Sequence, residues 1–318
     1  MISSPNAPTL ASRYRGALLG LASGDALGTT LEFKPRGSFK PLTDMVGGGP
    51  FRLQPGQWTD DTSMALCLAE SLLECNGFDA VDQMQRYLRW YDEGYWSSTG
   101  SCFDIGNATS AALRVFRRTG NGFSGSTEAG AAGNGSLMRL VPIPLFFAKD
   151  PDLALRMAAD SSRTTHGSAT AVDACRYFAG LIVGALGGAS KEELLSERYS
   201  PLSTPWGADQ LHPAVTAIAS GSFRGKEAND VRASGFVLHT LEAALWAFAT
   251  TDDFASGALA AVNLGDDADT TGAVYGQIAG AFYGLEGIPA AWVEKLAMRG
   301  EIREMADRLH GQAAGQGA

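Results

Sequence analysis

The sequence predicts a single all-α domain, and three observations carry that expectation. Apolar residues recur at helical spacing along nearly the whole chain. The two-residue alternation of half-buried strands is scarce. Two segments, RGALLGLASGDALG and TGAVYGQIAGAFYG, repeat glycine at every fourth residue: Gly16, Gly20, Gly24 and Gly28 in the first, Gly272, Gly276, Gly280 and Gly284 in the second. Each row lies on one helical face. A glycine inside a helix costs up to about 1 kcal/mol relative to alanine, so two such rows need a compensating gain, and close approach of neighbouring helix backbones supplies one. No break in composition separates the rows, which argues against a domain boundary between them.

Along the chain, residues 1–12 (MISSPNAPTLAS) read as a loose tail and lack the basic start and apolar run of a secretion signal. Helical patterns follow at 13–27, 62–75, 79–93, 104–118, 152–163, 169–186, 231–249, 254–263, 269–284 and 300–310. The Gly, Ser and Pro-rich stretches 119–135 and 200–230 read as loops, and 313–318 as a second tail, so the folded domain is expected over 13–312. The longest apolar run, YFAGLIVGALGGA at 177–189, is too short and Gly-rich for a bilayer span.

A hydrophobic content of 45% is ample for a buried core. The excess of 34 acidic over 25 basic residues, net charge −9, disfavours a nucleic-acid or anionic-membrane binder, because such partners are met with a basic face. An anionic small ligand would therefore need a local cation. Cys67, Cys75, Cys102 and Cys175 form no CxxC pair and sit in apolar or mixed helical contexts, which predicts reduced thiols and a cytoplasmic location.

Two stretches place clustered carboxylates where a loop enters an apolar helix: GQWTDDTSMALCLAESLLE at 56–74 and NLGDDADTTGAVYGQIAGAFYG at 263–284. A lone Asp there caps the free N–H groups of the first turn. Asp60 and Asp61 between Thr59 and Thr62 exceed what a cap needs, so the choice lies between capping and a cation shared with the second stretch. Asp267 and Asp269 are two apart, which on an extended loop puts both on one side, with Thr270 opening the helix. Gly133, Asn134, Gly135 and Ser136 in GNGSLMR form either a turn or a loop whose N–H groups approach phosphate oxygens. His166 in TTHG is either a capping or core histidine or a ligand contact. Asp104 and Asn107 in DIGN are three apart, hence on one face of a helix that begins there, unless Asp104 serves as its N-cap.

With TDDT at 59–62, DIGN at 104–107, GNGSLMR at 133–139, TTHG at 164–167 and DADTTG at 267–272, in that order, the chain resembles the ADP-ribosylglycohydrolase family, most nearly its dinitrogenase reductase-activating type. The resemblance runs from about residue 13 to 285. It implies an orthogonal helical bundle with a central cleft for ADP-ribose and two divalent cations, Mg²⁺ or Mn²⁺. The metal ligands it implies are Glu32, Thr59, Asp60, Asp61, Asp267, Asp269 and Thr270, a set of hard oxygen donors. Asn107, Gly133, Asn134, Gly135, Ser136, Met138, His166 and Phe236 are expected along the ligand, with core packing open for Phe236. Asp104 is implied at the scissile bond against the guanidinium of a modified arginine, with Glu32 sharing the metal and positioning water. One departure is Gly265-Asp266-Asp267 where the family carries Gly-Gly-Asp, so Asp266 either faces solvent or alters the loop and the metal preference.

The expected reaction is hydrolysis of an ADP-ribosyl N-glycosidic bond on a modified protein, through an oxocarbenium-like transition state and with ADP-ribose as product. The same site could act on ADP-ribosyl-serine, O-acetyl-ADP-ribose or ADP-ribosylated nucleic acid, or bind ADP-ribose without catalysis. A metal-dependent phosphatase would leave DIGN and GNGSLMR unexplained.

Overall fold

A computed structural model of the chain describes residues 7–202, 206 and 210–315, with residues 314 and 315 described by backbone alone. Parts of three sequence expectations, the tails at 1–6 and 316–318 and the loop at 203–205 and 207–209, lie outside the described residues. The helices are α1 (Leu10–Gly28), α2 (Asp60–Glu74), α3 (Ala80–Glu93), α4 (Asn107–Thr119), α5 (Pro142–Phe146), α6 (Pro151–Arg163) and α7 (Ala169–Leu186). They continue with α8 (Lys191–Leu194), α9 (Pro213–Ala219), α10 (Val237–Thr250), α11 (Phe254–Val262), α12 (Ala268–Tyr283), α13 (Ala290–Lys295) and α14 (Arg299–Gly315). Strand character among the described residues is limited to isolated bridges such as Gly133 with Phe236.

The glycine rows meet each other. An added Cβ would lie 2.3 Å from Gly280 O at Gly16, 2.4 Å from Gly276 O at Gly20, and 1.9 Å from Gly272 O at Gly24. Rising numbers on α1 meet falling numbers on α12, so the helices are antiparallel and in backbone-to-backbone contact. The lost helix propensity is offset by dispersion between two main chains that no side chain holds apart. Both helices are buried on nearly every face. Around this pair, α7, α10 and α11 pack on α12, α14 packs on α1, and α2 joins α3, α5 and α14.

Of the described helices, α7 is long and apolar enough to cross a membrane, with a mean hydropathy of 1.3 over 18 residues. It is longer than the apolar run alone suggested, but 83% of it is buried inside the bundle, as expected of a core helix.

Boundaries differ from the sequence expectation at both ends and inside the chain: α1 begins at Leu10, within the stretch read as a tail, and α14 runs on to Gly315. α4 starts at Asn107 rather than Asp104, because Asp104 has φ +60° and the extended Gly106 is the N-cap. α10 starts at Val237 rather than 231, because the preceding segment is held extended: Asp267 N–H donates to Ala233 O and Asn134 N–H to Gly235 O. The short helices α5, α8, α9 and α13 were not expected, and α9 lies within the stretch read as loop; α5 and α9 open on Pro142 and Pro213 at their first turns.

A methyl group at the seam should be poorly tolerated. Gly24→Ala places Cβ against Gly272 O, so urea unfolding should show a loss of roughly 3 kcal/mol or more, beyond ordinary overpacking. Alanine at solvent-facing Gly300, where an added Cβ meets nothing within 4 Å, should be neutral or stabilising. Equal stability of the two variants would refute the packing role of the row.

Candidate metal and ligand site

Because α1 runs against α12, the end of α1 lies beside the start of α12. A Cβ at Gly28 would meet Ala268 O at 2.3 Å. One short turn later, Glu32 Oε2 accepts hydrogen bonds from Ala268 N (2.9 Å) and Asp269 N (3.5 Å). Asp25, in the last turn of α1, accepts from Thr59 N (2.9 Å), Thr59 Oγ1 (2.9 Å), Thr62 N (3.1 Å) and Thr62 Oγ1 (2.6 Å). α1 and the turn that follows it thus cap both acidic helix starts from outside. The N-cap residues themselves, Thr59 and Asp267, make no side-chain capping bond. This answers the choice left by the sequence: Asp60 and Asp61 are not needed as caps.

The released carboxylates converge. Oxygens of Glu32, Asp267 and Asp269 lie within 4.8 Å of one another. Asp269 is the hub: its side chain is within hydrogen-bonding reach of Glu32, Asp104 and Asp267. Thr270 Oγ1 lies 3.5 Å from Asp61 Oδ2, and Thr59 Oγ1 lies 3.3 Å from the same oxygen, so the two acidic stretches do meet. Burial, then the charge of Asp269, raises Asp25 to about 7 and Asp267 to about 7. Glu32 and Asp60 are driven well above the carboxylate range by the same two causes in the same order, and Asp61 by burial and then by Asp25. Asp104 is pushed up to about 11 by burial and then by Asp60.

These residues fit divalent cations. Asp61 Oδ1 is buried without a hydrogen-bond partner, and a buried carboxylate oxygen left so is costly unless a cation meets it. The donors are carboxylates and hydroxyls, the oxygen set that hard cations take. Among the described residues, no lysine or arginine lines the cavity into which the cluster opens.

That cavity is about 900 Å³, the size class of small-molecule sites. Glu32, Asp60, Asp267, Asp269 and Thr270 line it together with Asp104, which Asp269 reaches, the start of α4, the GNGSLMR loop and residues of 124–131. Asn107, Gly133, Asn134, Gly135, Met138 and His166 all line it. Thr59 and Asp61 do not; they lie fully buried beneath Asp60.

Three expectations differ from the structure in detail, and a fourth residue, Asn134, has a further role. Asp104 and Asn107 do not share a helix face, since the left-handed turn at Asp104 precedes α4. Ser136 does not line the cavity; its hydroxyl faces inward, accepting from Ser162 Oγ (2.9 Å) and Cys175 Sγ (3.4 Å). Phe236 is neither a core residue nor a cavity-lining one, being exposed with its ring edge-on to His239. Asn134 has its amide engaged, donating to Asp267 Oδ2 (2.7 Å) and Thr240 Oγ1 (2.8 Å), so it ties the loop to the acidic cluster.

Sequence reasoning missed Asp25, Arg139 and Thr165. A charged residue in the middle of the first glycine row was the available sign for Asp25. Nothing comparable marks Thr165.

The raised carboxylates set a pH dependence. A carboxyl group whose folded pKa lies above its unfolded value binds protons better when folded, so its contribution is present below the unfolded pKa and lost as pH rises through the folded one. For Asp25 and Asp267 that window runs from about 4 to about 7. Chelator-treated protein should therefore lose thermal stability across it. Saturating Mg²⁺ or Mn²⁺ at neutral pH should raise the melting temperature, by roughly 2.7 kcal/mol of stabilisation at a hundredfold excess over Kd. A melting temperature indifferent to both pH and metal would exclude the ion-binding reading.

A sequence profile of the ADP-ribosylglycohydrolases matches residues 6–318. The chain is 44% identical over 301 residues to the ADP-ribosylarginine hydrolase Tri1 of Pseudomonas putida (strain GB-1), covering 95% of this chain and 78% of that protein. Identity is 32% over 308 residues to the ADP-ribosyl-[dinitrogen reductase] glycohydrolase of Rhodospirillum rubrum, covering 95% and 97%. A solved structure described as an ADP-ribosylglycohydrolase-related protein complex superposes with a TM-score of 0.83 at 47% identity, covering 96% of this chain and 99% of that one. With an all-helical bundle, an acidic cluster at the meeting of two helix starts and these relatives, the chain belongs to the ADP-ribosylglycohydrolase family.

Proposed function

We propose that this protein is a metal-dependent ADP-ribosylhydrolase that cleaves the N-glycosidic bond between ADP-ribose and an arginine side chain of a modified protein. The observation that carries the reading is the place of Asp104, between the acidic cluster and the α4 side of the cavity. Burial and then the charge of Asp60 push its carboxyl group up to about 11. A guanidinium arriving there supplies the positive charge that restores the carboxylate, so the position favours a cationic leaving group. The similarity to two ADP-ribosylarginine hydrolases, at 44% and 43% identity, supports the same linkage.

The cavity is arranged for the rest of such a ligand. α4 begins without a side-chain cap, and its first turn, Asn107 to Thr109, lines the cavity, so free N–H groups with the helix dipole behind them suit a diphosphate. Ala108, Ala111, Ala112 and Val115 form an apolar wall for the adenosine end. Glu32, Asp60, Asp61, Asp267, Asp269 and Thr270, with Thr59 beneath, would hold two divalent ions, Mg²⁺ or Mn²⁺, near the ribose. When bound, these ions supply Lewis acidity toward the ribose hydroxyls and the attacking water. Asp104 holds the guanidinium and assists proton transfer to it as the bond to C1 breaks. Glu32, fixed through Oε2 to the start of α12, has its other oxygen available to the cluster. The four cysteines are free thiols, in keeping with action in the cytoplasm.

The test pairs two measurements on Asp104→Asn. The substitution keeps size and one acceptor but turns a charge-assisted hydrogen bond into a neutral one of about half the strength. Hydrolysis of ADP-ribosyl-arginine should fall by roughly a hundredfold or more, while calorimetric affinity for ADP-ribose, which lacks the guanidinium, stays near wild type. Joint loss of metal and ADP-ribose binding would instead put Asp104 in the metal shell. Wild-type protein that cleaves ADP-ribosyl-serine and leaves the arginine conjugate intact would sink the arginine reading.

A further inference from the structure

Arg139, the last residue of GNGSLMR, is fully buried and lies one layer behind the cavity wall. Its guanidinium has no carboxylate within ion-pair distance among the described residues. It is held by Gly135 O (2.5 Å) and Thr165 Oγ1 (2.7 Å), with longer contacts to Thr164 Oγ1 and Ser161 O, and lies 4.8 Å from the centre of the Tyr87 ring. A buried charge without a counter-ion is expensive, and arginine cannot escape by deprotonation.

The hydrogen-bond directions leave one arrangement. Guanidinium only donates, so Thr165 Oγ1 accepts from Arg139. Thr165 Oγ1 is also 2.8 Å from His166 Nδ1, and among the described residues its single proton has no other acceptor. That proton goes to Nδ1, which therefore accepts, and the ring proton must sit on Nε2. Nε2 has no protein partner among the described residues. A Cβ at Gly133 or at Gly135 would lie 3.2 Å from it, so the two glycines leave the space that the imidazole faces at the cavity edge. Burial, then the charge of Arg139, lowers the His166 pKa to about 3, in agreement with a neutral ring.

We propose that Arg139, acting through the Thr165 hydroxyl, is a positioning residue that fixes His166 as a neutral imidazole with its proton on Nε2, a hydrogen-bond donor aimed at the anionic part of the ligand. The ligand part of this proposal rests on the ADP-ribose reading; the tautomer part does not. Together with the uncapped start of α4, it answers how a cavity with no lysine or arginine among the described residues of its wall receives an anion. The cation stands behind the wall, and its influence is passed forward as a fixed hydrogen-bond donor.

The tautomer is read by ¹⁵N NMR of histidine-labelled, ligand-free protein at neutral pH, with His166 assigned by its loss in His166→Gln. Wild type and Thr165→Ser should show Nε2–H alone. Thr165→Val, which removes the hydroxyl at nearly constant volume, should lose that single-tautomer signature, and its calorimetric affinity for ADP-ribose should fall by roughly tenfold or more, with Thr165→Ser restoring it. An Nδ1–H signature in the wild type overturns the proposal without reference to any ligand. Wild-type ADP-ribose affinity in a folded Thr165→Val overturns its ligand part. If wild type does not bind ADP-ribose at all, the ligand part falls with the functional reading, and the NMR result still decides the tautomer.

Discussion

The site depends on the contact between two rows of glycine. Backbone-to-backbone packing of α1 on α12 sets how closely the end of one helix approaches the start of the other, and this distance decides whether Glu32 reaches Ala268 N. A methyl group in the seam would act as a wedge at the carbonyl of the opposite helix, and its effect would be felt first at the acidic end. Packing and chemistry are therefore one constraint here. The helices are adjacent because they lack side chains on one face, and the carboxylates are adjacent because the helices are.

That arrangement is electrostatically unfavourable by itself. Glu32, Asp60, Asp61 and Asp267 all have their ionisation opposed by burial and by one another, and Asp25, beneath them, shares the conflict. Ordinary folds relieve such crowding with lysine or arginine, and among the described residues the wall of this cavity carries neither. The fold instead satisfies the helix starts with two carboxylates, Asp25 and Glu32, and leaves the others to meet a ligand. Stability and function pull in opposite directions, which is usual where a site must bind an ion strongly. The extensive apolar core around α1, α7, α10 and α12 makes the conflict tolerable.

Much of this was legible in the chain, and the parts that were not share a cause. The glycine rows, the long helices and the meeting of TDDT with DADTTG follow from periodicity and residue chemistry, which are local or nearly so. Capping from a distance is different: Asp25 lies 34 residues from the Thr59 N–H that it serves, and Glu32 lies 236 residues from that of Ala268, so local pattern alone pointed to the Asp residues at each helix start as caps. Direction was also hidden. Ser136 and Asn134 belong to the expected loop, yet one hydroxyl faces the interior and one amide is spent on Asp267 and Thr240. Short helices such as α8 and α13 complete too few turns to show a period. Asp104 failed as a helix residue because nothing in DIGN announces a left-handed backbone.

Left-handed residues recur around the site, and they explain the one departure from the family pattern. Phe33, Asp104 and Asp266 have φ of +61°, +60° and +55°. Phe33 N–H donates to Asp266 O (2.8 Å) and Asp266 N–H to Lys34 O (2.9 Å), a reciprocal pair that fastens the segment after Glu32 to the loop before α12. Position 266 therefore needs a backbone that glycine adopts freely and that costs most other residues about 1–2 kcal/mol, with Asp among the better tolerated. Its side chain is exposed and does not line the cavity, so the added carboxylate stands outside the acidic cluster. What the substitution changes is the conformational freedom of the loop. An aspartate here narrows the alternatives open to the unfolded chain more than glycine would, partly offsetting the strain. The two hydrogen bonds run through the backbone alone, so the fastening of the segment after Glu32 to the loop before α12 needs no side chain at 266.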